Sequence, residues 1–247
     1  MLICRYHEYL KNLPTREIYR QSDLLVPDLL FAEEGKFRIF YAPFESVNFN
    51  AKVIILGISP GWTQMEIACR KARTILSSGG LAEDACRSAK FIASFAGSMR
   101  VNLVKMLDAL NLPNFLGIHS SSDLFCKDNS LLHSTSVIRY PVFIGTQNYT
   151  GNNPRLVKSP FLMRFTRQIL VPELESIPNA VIVPLGKSVE EVLTILAAEK
   201  RIRPGCWLSG FPHPSGANGH RVRQFNENRA SLKLQLFNIL GKTIFAS

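Results

Sequence analysis

Apolar positions along this chain recur with two different periods, and their order predicts the architecture. Val53, Ile54, Ile55 and Leu56 form an unbroken apolar run, mostly β-branched, within 52–58, stopped by Ser59-Pro60-Gly61, which is the pattern of a strand buried on both faces that ends in a tight turn. A helix is expected at once, with Thr63 and Glu66 at capping-box spacing and Ile67, Ala68, Lys71 and Ile75 continuing at helical intervals. Leu103, Val104, Leu107 and Leu110 share one face of a second helix over 99–110, and a Ser-, Asp- and Asn-rich loop over 117–130 leads to a second strand at 133–139.

The same alternation repeats downstream. Ser159-Pro160 has the chemistry of a helix start for a segment running through Phe165 and Leu170. Ala180 to Leu185 is a short apolar strand, followed by the Gly186-Lys187 turn and a helix carrying Val189, Val192, Leu193 and Leu196. Cys206-Trp207-Leu208 reads as a last strand, and an amphipathic helix from Val222 to Leu240 ends before Gly241. Strands alternating with helices predict an α/β fold: a three-layer sandwich with a short, mainly parallel central sheet flanked by helices. Ligands of such sheets sit at the carboxyl ends of the strands, where Ser59, the Gly186 turn and the residues after Trp207 would converge. With no internal repeat, low-complexity tract or linker, residues 1–247 are read as one domain, with 1–40 as a helical N-terminal extension.

Composition narrows the class of partner. The 247 residues are 46% hydrophobic, enough for a sizeable core, and 29 Lys and Arg against 19 Asp and Glu give a net charge of +10, which favours an acidic partner, nucleic acid ahead of a membrane surface. No apolar run approaches the ~20 residues needed to span a bilayer. Arg5, His7 and Glu8 stand where a signal peptide would need its apolar region, so a cytoplasmic protein is expected. Five scattered cysteines without a C-x-x-C pair suggest neither disulfides nor a zinc or iron–sulfur site, and His119, His133 and His220 make no recognisable metal set with His213.

The segment from Gly210 to Arg221 has neither helical nor strand periodicity and packs two histidines, a hydroxyl, three glycines and an arginine into twelve residues. Pro212 and Pro214 fix the backbone on either side of His213, and the glycines let main-chain N–H groups approach an anion closely. Taken alone it is a Pro/Gly surface turn.

Taken together with the rest of the chain, it resembles the last motif of the uracil-DNA glycosylase superfamily. His213-Pro214-Ser215 looks like that family's His-Pro-Ser loop, and Gly57-Ile58-Ser59-Pro60-Gly61 looks like its first motif. The stretch from Ser159-Pro160-Phe161-Leu162 to Pro184-Leu185-Gly186 is similar to its helix leading into an apolar strand that ends in Leu-Gly. The likeness runs in order from about Phe40 to Leu240; the iron–sulfur branch's cluster cysteines are absent. The resemblance implies a cofactor-free, metal-free, monomeric enzyme whose partner is DNA, which flips a base into a pocket and hydrolyses its N-glycosidic bond.

Roles follow from the same resemblance. His213 matches the histidine that donates toward the pyrimidine O2, and Ser59 stands where the family places the Asp or Asn that orients water. Gly57, Ile58, Pro60, Gly61 and Trp62 would line the base site. Phe91, in a segment ahead of Ala96-Gly97, would stack on the base, with Phe95 and Trp62 as rivals or all three as core aromatics. The base-reading Asn would fall near Ser134 and Thr135, where no Asn occurs. Lys187, Ser188, Ser215, Gly216, Asn218, Arg221 and Arg223 would meet DNA phosphates, with Ala217-Asn218 as a small wedge, although Ser188 and Glu191 also have capping-box spacing.

A serine holds water but is a poor base, and small residues at 134 and 135 suit a bulkier pyrimidine than uracil, so a modified base, in repair or in attack on foreign (phage) DNA, is the expected substrate. Two other readings stay open: a DNA- or base-binding module of the same fold that does not cut, and a nucleotide-dependent enzyme using Gly57 to Gly61. The latter lacks both G-x-G-x-x-G and the lysine-bearing phosphate loop.

Overall fold

The computed structural model describes residues 1–95, 98–126 and 130–241. In chain order these form α1 (Ile3–Lys11), α2 (Gln21–Leu24), β1 (Leu30–Glu34), β2 (Phe37–Phe40), β3 (Val53–Gly57), α3 (Trp62–Ser77), α4 (Ala82–Ala93), α5 (Ser98–Ala109) and α6 (Leu112–Leu116). There follow β4 (Leu132–Ser136), β5 (Val142–Ile144), β6 (Gln147–Asn148), α7 (Pro160–Phe165), α8 (Val171–Glu175), β7 (Val181–Pro184), α9 (Lys187–Ala198) and α10 (Arg221–Leu236). The chain is a mixed α/β protein with a parallel sheet between helical layers, and its residues cluster into two compact units that alternate along the sequence.

One unit holds 48–58, 95–137 and the chain from 166 onward. Its sheet is parallel, in the order β4-β3-β7, with Gly57 level with Ser136 and Leu56 level with Pro184. Val53, Ile55, Val181 and Val183 present one face to Leu103, Met106 and Leu107 of α5 and to Phe225, Leu232 and Leu236 of α10, forming one buried cluster. On the opposite face His133 of β4 meets Glu173 of α8. Continuous apolar runs suit strands covered on both sides, and β3 and β7 are buried at every position. The expected strand at 206–208 is reduced to a single parallel bridge from Trp207 to Ile182, held by Ile182 N–H to Cys206 O and Leu208 N–H to Ile182 O, both 2.9 Å. The strand expected over 133–139 runs only to Ser136; Val137 N–H adds one more bond of the parallel ladder, to Gly57 O at 2.8 Å, before the chain bends over 137–140.

The other unit holds 1–47, 59–94 and 138–165, with an antiparallel sheet in the order β1-β2-β5-β6. These strands were not expected, and β1 and β2 replace helix within 30–40. Gly35, at φ +58°, sits with Lys36 in the two-residue turn between Glu34 and Phe37. Helix α3 starts at Trp62, where Gly61 N–H donates to Gln64 Oε1 at 2.9 Å, so Gln64 and not Thr63 with Glu66 serves the first turn. Glu66 is buried instead, accepting Tyr19 N–H at 3.1 Å and Arg70 Nε at 2.7 Å.

Candidate functional site

The turn after β7 positions the histidine. Gly186 is the N-cap of α9 at φ +91°, and a Cβ built there would lie 3.1 Å from His213 Cβ, so glycine is what lets the 211–216 loop close onto the strand end. Gly186 N–H donates to Phe211 O at 3.2 Å, and Glu190 of α9 accepts Gly210 N–H at 2.9 Å together with the Ser209 hydroxyl. Ser188 therefore lies inside the first turn of α9, not at its cap.

His213 is half-buried, and Ser215 N–H donates to its Nδ1 at 3.2 Å. A ring nitrogen that accepts from an amide carries no proton, so the neutral ring holds its proton on Nε2. Burial holds the imidazole below its usual range, which favours that neutral form. Among the described residues Nε2 has no hydrogen-bond partner, so the ring offers one unspent N–H donor at the carboxyl end of the parallel sheet.

The same end of the sheet carries Gly57 and Ile58 after β3 and Ser136 at the end of β4, with Ser134 two residues further in, level with Ile55. Side chains alternate along β4, so Ser134 and Ser136 share the face of Ile55 and Gly57, whereas Thr135 points with His133 to the other face and is buried, its hydroxyl without a partner among the described residues. Ser136, not Thr135, is thus the companion of Ser134; its Oγ lies 3.5 Å from the place a Gly57 Cβ would take. That register was readable from period-2 alternation once Gly57 was placed level with 136. Phe95 Cε1 lies 3.7 Å from the same place, on a half-buried ring packed against the core. Phe91, the residue singled out for stacking, lies in the other unit on α4 and is 41% exposed; the Ala96-Gly97 that prompted the choice, like 127–129 of the loop, lies outside the described residues.

Of the seven residues expected to meet phosphate, two turn inward. Asn218 Nδ2 donates to His213 O at 3.2 Å, and Arg221 Nη1 donates to Ser215 O at 2.8 Å. Arg223 is exposed and lies 3.6 Å from Glu227 Oε1 on α10. Lys187 is exposed, Ser215 Oγ accepts Ala217 N–H at 3.2 Å, and the exposed Gly216 N–H has no partner among the described residues. Asn102 of α5, a residue with no sequence signal, donates from Nδ2 to Pro214 O at 2.9 Å.

The residues after Ile58 belong to the other unit. Ser59 Oγ donates to Pro60 O at 3.1 Å and accepts Val142 N–H at 3.3 Å, so its proton and one lone pair are used by the protein itself. Pro60, Gly61 and Trp62 are half-buried at the start of α3, and Trp62 N–H donates to Asn148 Oδ1 at 2.7 Å. Among the described residues no group of three or more His, Cys, Asp or Glu could hold a metal ion, and no helix is long and apolar enough to cross a membrane.

No family model matches the chain. It is 40% identical over 228 residues, 92% of this chain and 89% of its relative, to a Bacillus subtilis (strain 168) protein named "Uncharacterized protein YoxB". Identity at that level along nearly the whole of both sequences places this chain in the same family as YoxB.

Proposed function

We propose that this chain is a monofunctional DNA glycosylase that everts a modified or uracil-related pyrimidine and hydrolyses its N-glycosidic bond. The observation that carries the reading is His213: a half-buried imidazole whose Nδ1 is occupied by Ser215 N–H, leaving a neutral Nε2–H donor at the carboxyl end of the sheet that also offers Gly57, Ser136 and, against Gly57, Phe95. As the bond breaks, its electron pair moves onto the base and negative charge collects on a pyrimidine oxygen. An N–H aimed at that oxygen stabilises the leaving group more than the ground state, and losing one such donor costs about 10²–10³ in rate. Water supplies the oxygen at the sugar carbon, giving a free base and an abasic site with an intact phosphodiester backbone.

Phe95 would stack on the everted base, while the hydroxyls of Ser134 and Ser136 leave room for a substituent that an Asn side chain would occupy. Ser215 Oγ–H, Gly216 N–H, Lys187 and Arg223 are the phosphate donors of this reading, acting in the cytoplasm of a monomeric, cofactor-free protein in repair or in attack on foreign DNA.

A second reading is favoured by Ser59. With its proton given to Pro60 O and one of its two lone pairs taken by Val142 N–H, its hydroxyl is held by the protein itself and makes a poor base, as suits a module that holds a base without cutting. Labelled duplexes carrying uracil, hypoxanthine, 5-substituted cytosines and glycosylated hydroxymethylpyrimidines separate the two. The glycosylase yields alkali-labile abasic sites with at least one substrate and loses them in His213→Ala while salt-sensitive DNA binding persists. Binding without abasic product from any duplex establishes the module, and release of plain uracil alone removes the modified-base assignment.

A further inference from the structure

Three consecutive carbonyl groups of the 213–215 loop are each taken by a side chain. Asn218 Nδ2 holds His213 O, Asn102 Nδ2 holds Pro214 O at 2.9 Å, and Arg221 Nη1 holds Ser215 O at 2.8 Å. The donors come from three places: α5, the loop itself and the first residue of α10. A loop whose carbonyls merely faced water would need none of them.

The middle contact bears on the ring. Pro214 C=O and Ser215 N–H are the two ends of one planar peptide unit and point in opposite directions. Fixing the oxygen on Asn102 therefore fixes the N–H on His213 Nδ1. If that plane turned over, a carbonyl oxygen would face Nδ1, which would then have to carry the proton, and Nε2 would become an acceptor. Pro214 has no N–H of its own to resist the turn, so the restraint must come from side chains.

We infer that Asn102, with Arg221 and Asn218 on the flanking carbonyls, is a positioning residue that sets the tautomer of His213 by locking the 214–215 peptide plane. Arg221 and Asn218 thereby have a task inside the loop in place of the phosphate contacts expected of them. The catalytic meaning of this lock rests on the glycosylase reading above, since only a leaving oxygen requires the donor to sit on Nε2.

The test uses the full-length protein with ¹⁵N-labelled histidine, reading both ring nitrogens of His213 by long-range ¹H–¹⁵N correlation at pH 7.5, beside excision kinetics. The wild type should show one neutral tautomer protonated at Nε2. Asn102→Asp keeps the side chain's shape but sets an acceptor against Pro214 O. It and Asn102→Ala should give mixed tautomers and lower kcat on the order of 10–100-fold with KM little changed, as a misdirected group does. Arg221→Ala should act in the same direction more weakly and Arg221→Lys should restore the single tautomer, which keeps the proposal open to refutation should the Asn102 variants fail to fold. A single Nε2–H tautomer in folded Asn102→Asp and Arg221→Ala overturns the lock. If tautomers mix in the variants but the wild type excises nothing from any duplex, the lock stands and the glycosylase reading falls. If excision proceeds at the wild-type rate with the tautomer unchanged, the lock falls and that reading survives.

Discussion

His133 and His213 both receive a backbone N–H at Nδ1, from Asn48 at 3.3 Å and from Ser215 at 3.2 Å, and each therefore carries its ring proton on Nε2. They differ in what that proton meets. In His133, 2% exposed on β4, Nε2 lies 2.7 Å from Glu173 Oε1, whose side chain is fully buried. In His213 the same atom, at the open end of the sheet, has no partner among the described residues. A buried donor with its acceptor supplied holds a fold together, whereas a half-buried donor without one is available to a ligand. The two positions thus separate, within one unit, an imidazole whose donor is spent on the fold from one whose donor is available to a ligand.

The largest effect that would sharpen this contrast is on stability. His133→Ala takes from the buried Glu173 carboxyl a partner at 2.7 Å, and urea unfolding should show a loss of about 3–5 kcal/mol, whereas His213→Ala should stay within about 0.5–1 kcal/mol of wild type. Equal losses at the two sites would erase the distinction. Next comes activity. His213→Ala should slow base excision about 10²–10³-fold, read as abasic sites formed per enzyme under single turnover, with the unfolding midpoint nearly unchanged.

A third change probes what places the ring. Gly186→Ala forces a side chain into the left-handed region at φ +91° and against His213 Cβ, so stability should fall by about 1–3 kcal/mol, accompanied by a slower excision step. An unaltered melting curve would show that the turn has room the structure denies. Ser59→Ala removes two internal hydrogen bonds, the one to Pro60 O and the one from Val142 N–H, and about 0.5–1.5 kcal/mol for each is the expected cost. Excision should change less than about threefold; a hundredfold loss would instead make Ser59 the group that orients water.

The smallest effect is on pH dependence. Burial lowers the His213 pKa below its ordinary value, so as pH falls from about 6.5 the unfolded chain takes up a proton that the folded ring still refuses. This contribution to stability is complete above the unfolded value and is lost toward the lower folded one, at no more than about 1.4 kcal/mol per pH unit. Comparing unfolding midpoints of wild type and His213→Gln between pH 7.5 and pH 5 isolates it, and a wild type that gains relative stability on acidification would contradict the lowered pKa.

Much of the parallel unit is legible from pattern alone. The apolar runs at 53–56 and 181–184 are strands because continuous apolar, mostly β-branched residues suit burial on both faces, and in the other unit Ser159-Pro160 begins a helix because the serine hydroxyl accepts Leu162 N–H at 3.3 Å. The antiparallel unit was far less legible. Its strands are three to five residues long, or two in β6, too short for a clear period, and its two hairpins join only through the β2–β5 pairing, in which Arg38 meets Phe143 about a hundred positions away. Asn102 carried no local signal, and Phe95 stood only as one of three rival aromatics, because each matters through what the fold brings beside it: the end of β3 for Phe95, the carbonyl of Pro214 for Asn102.

The sequence by itself determined the alternation of strand and helix and the chemical identity of the 210–221 loop, since side-chain periodicity and the restrictions imposed by proline and glycine act over a few neighbouring residues. Only the tertiary structure decided which nitrogen of His213 bears the proton, that Asn218 and Arg221 face inward, and that Ser136 shares the face of Gly57. Those outcomes depend on hydrogen bonds and strand register between residues far apart in the chain, and no local pattern encodes a partner that folding has yet to supply.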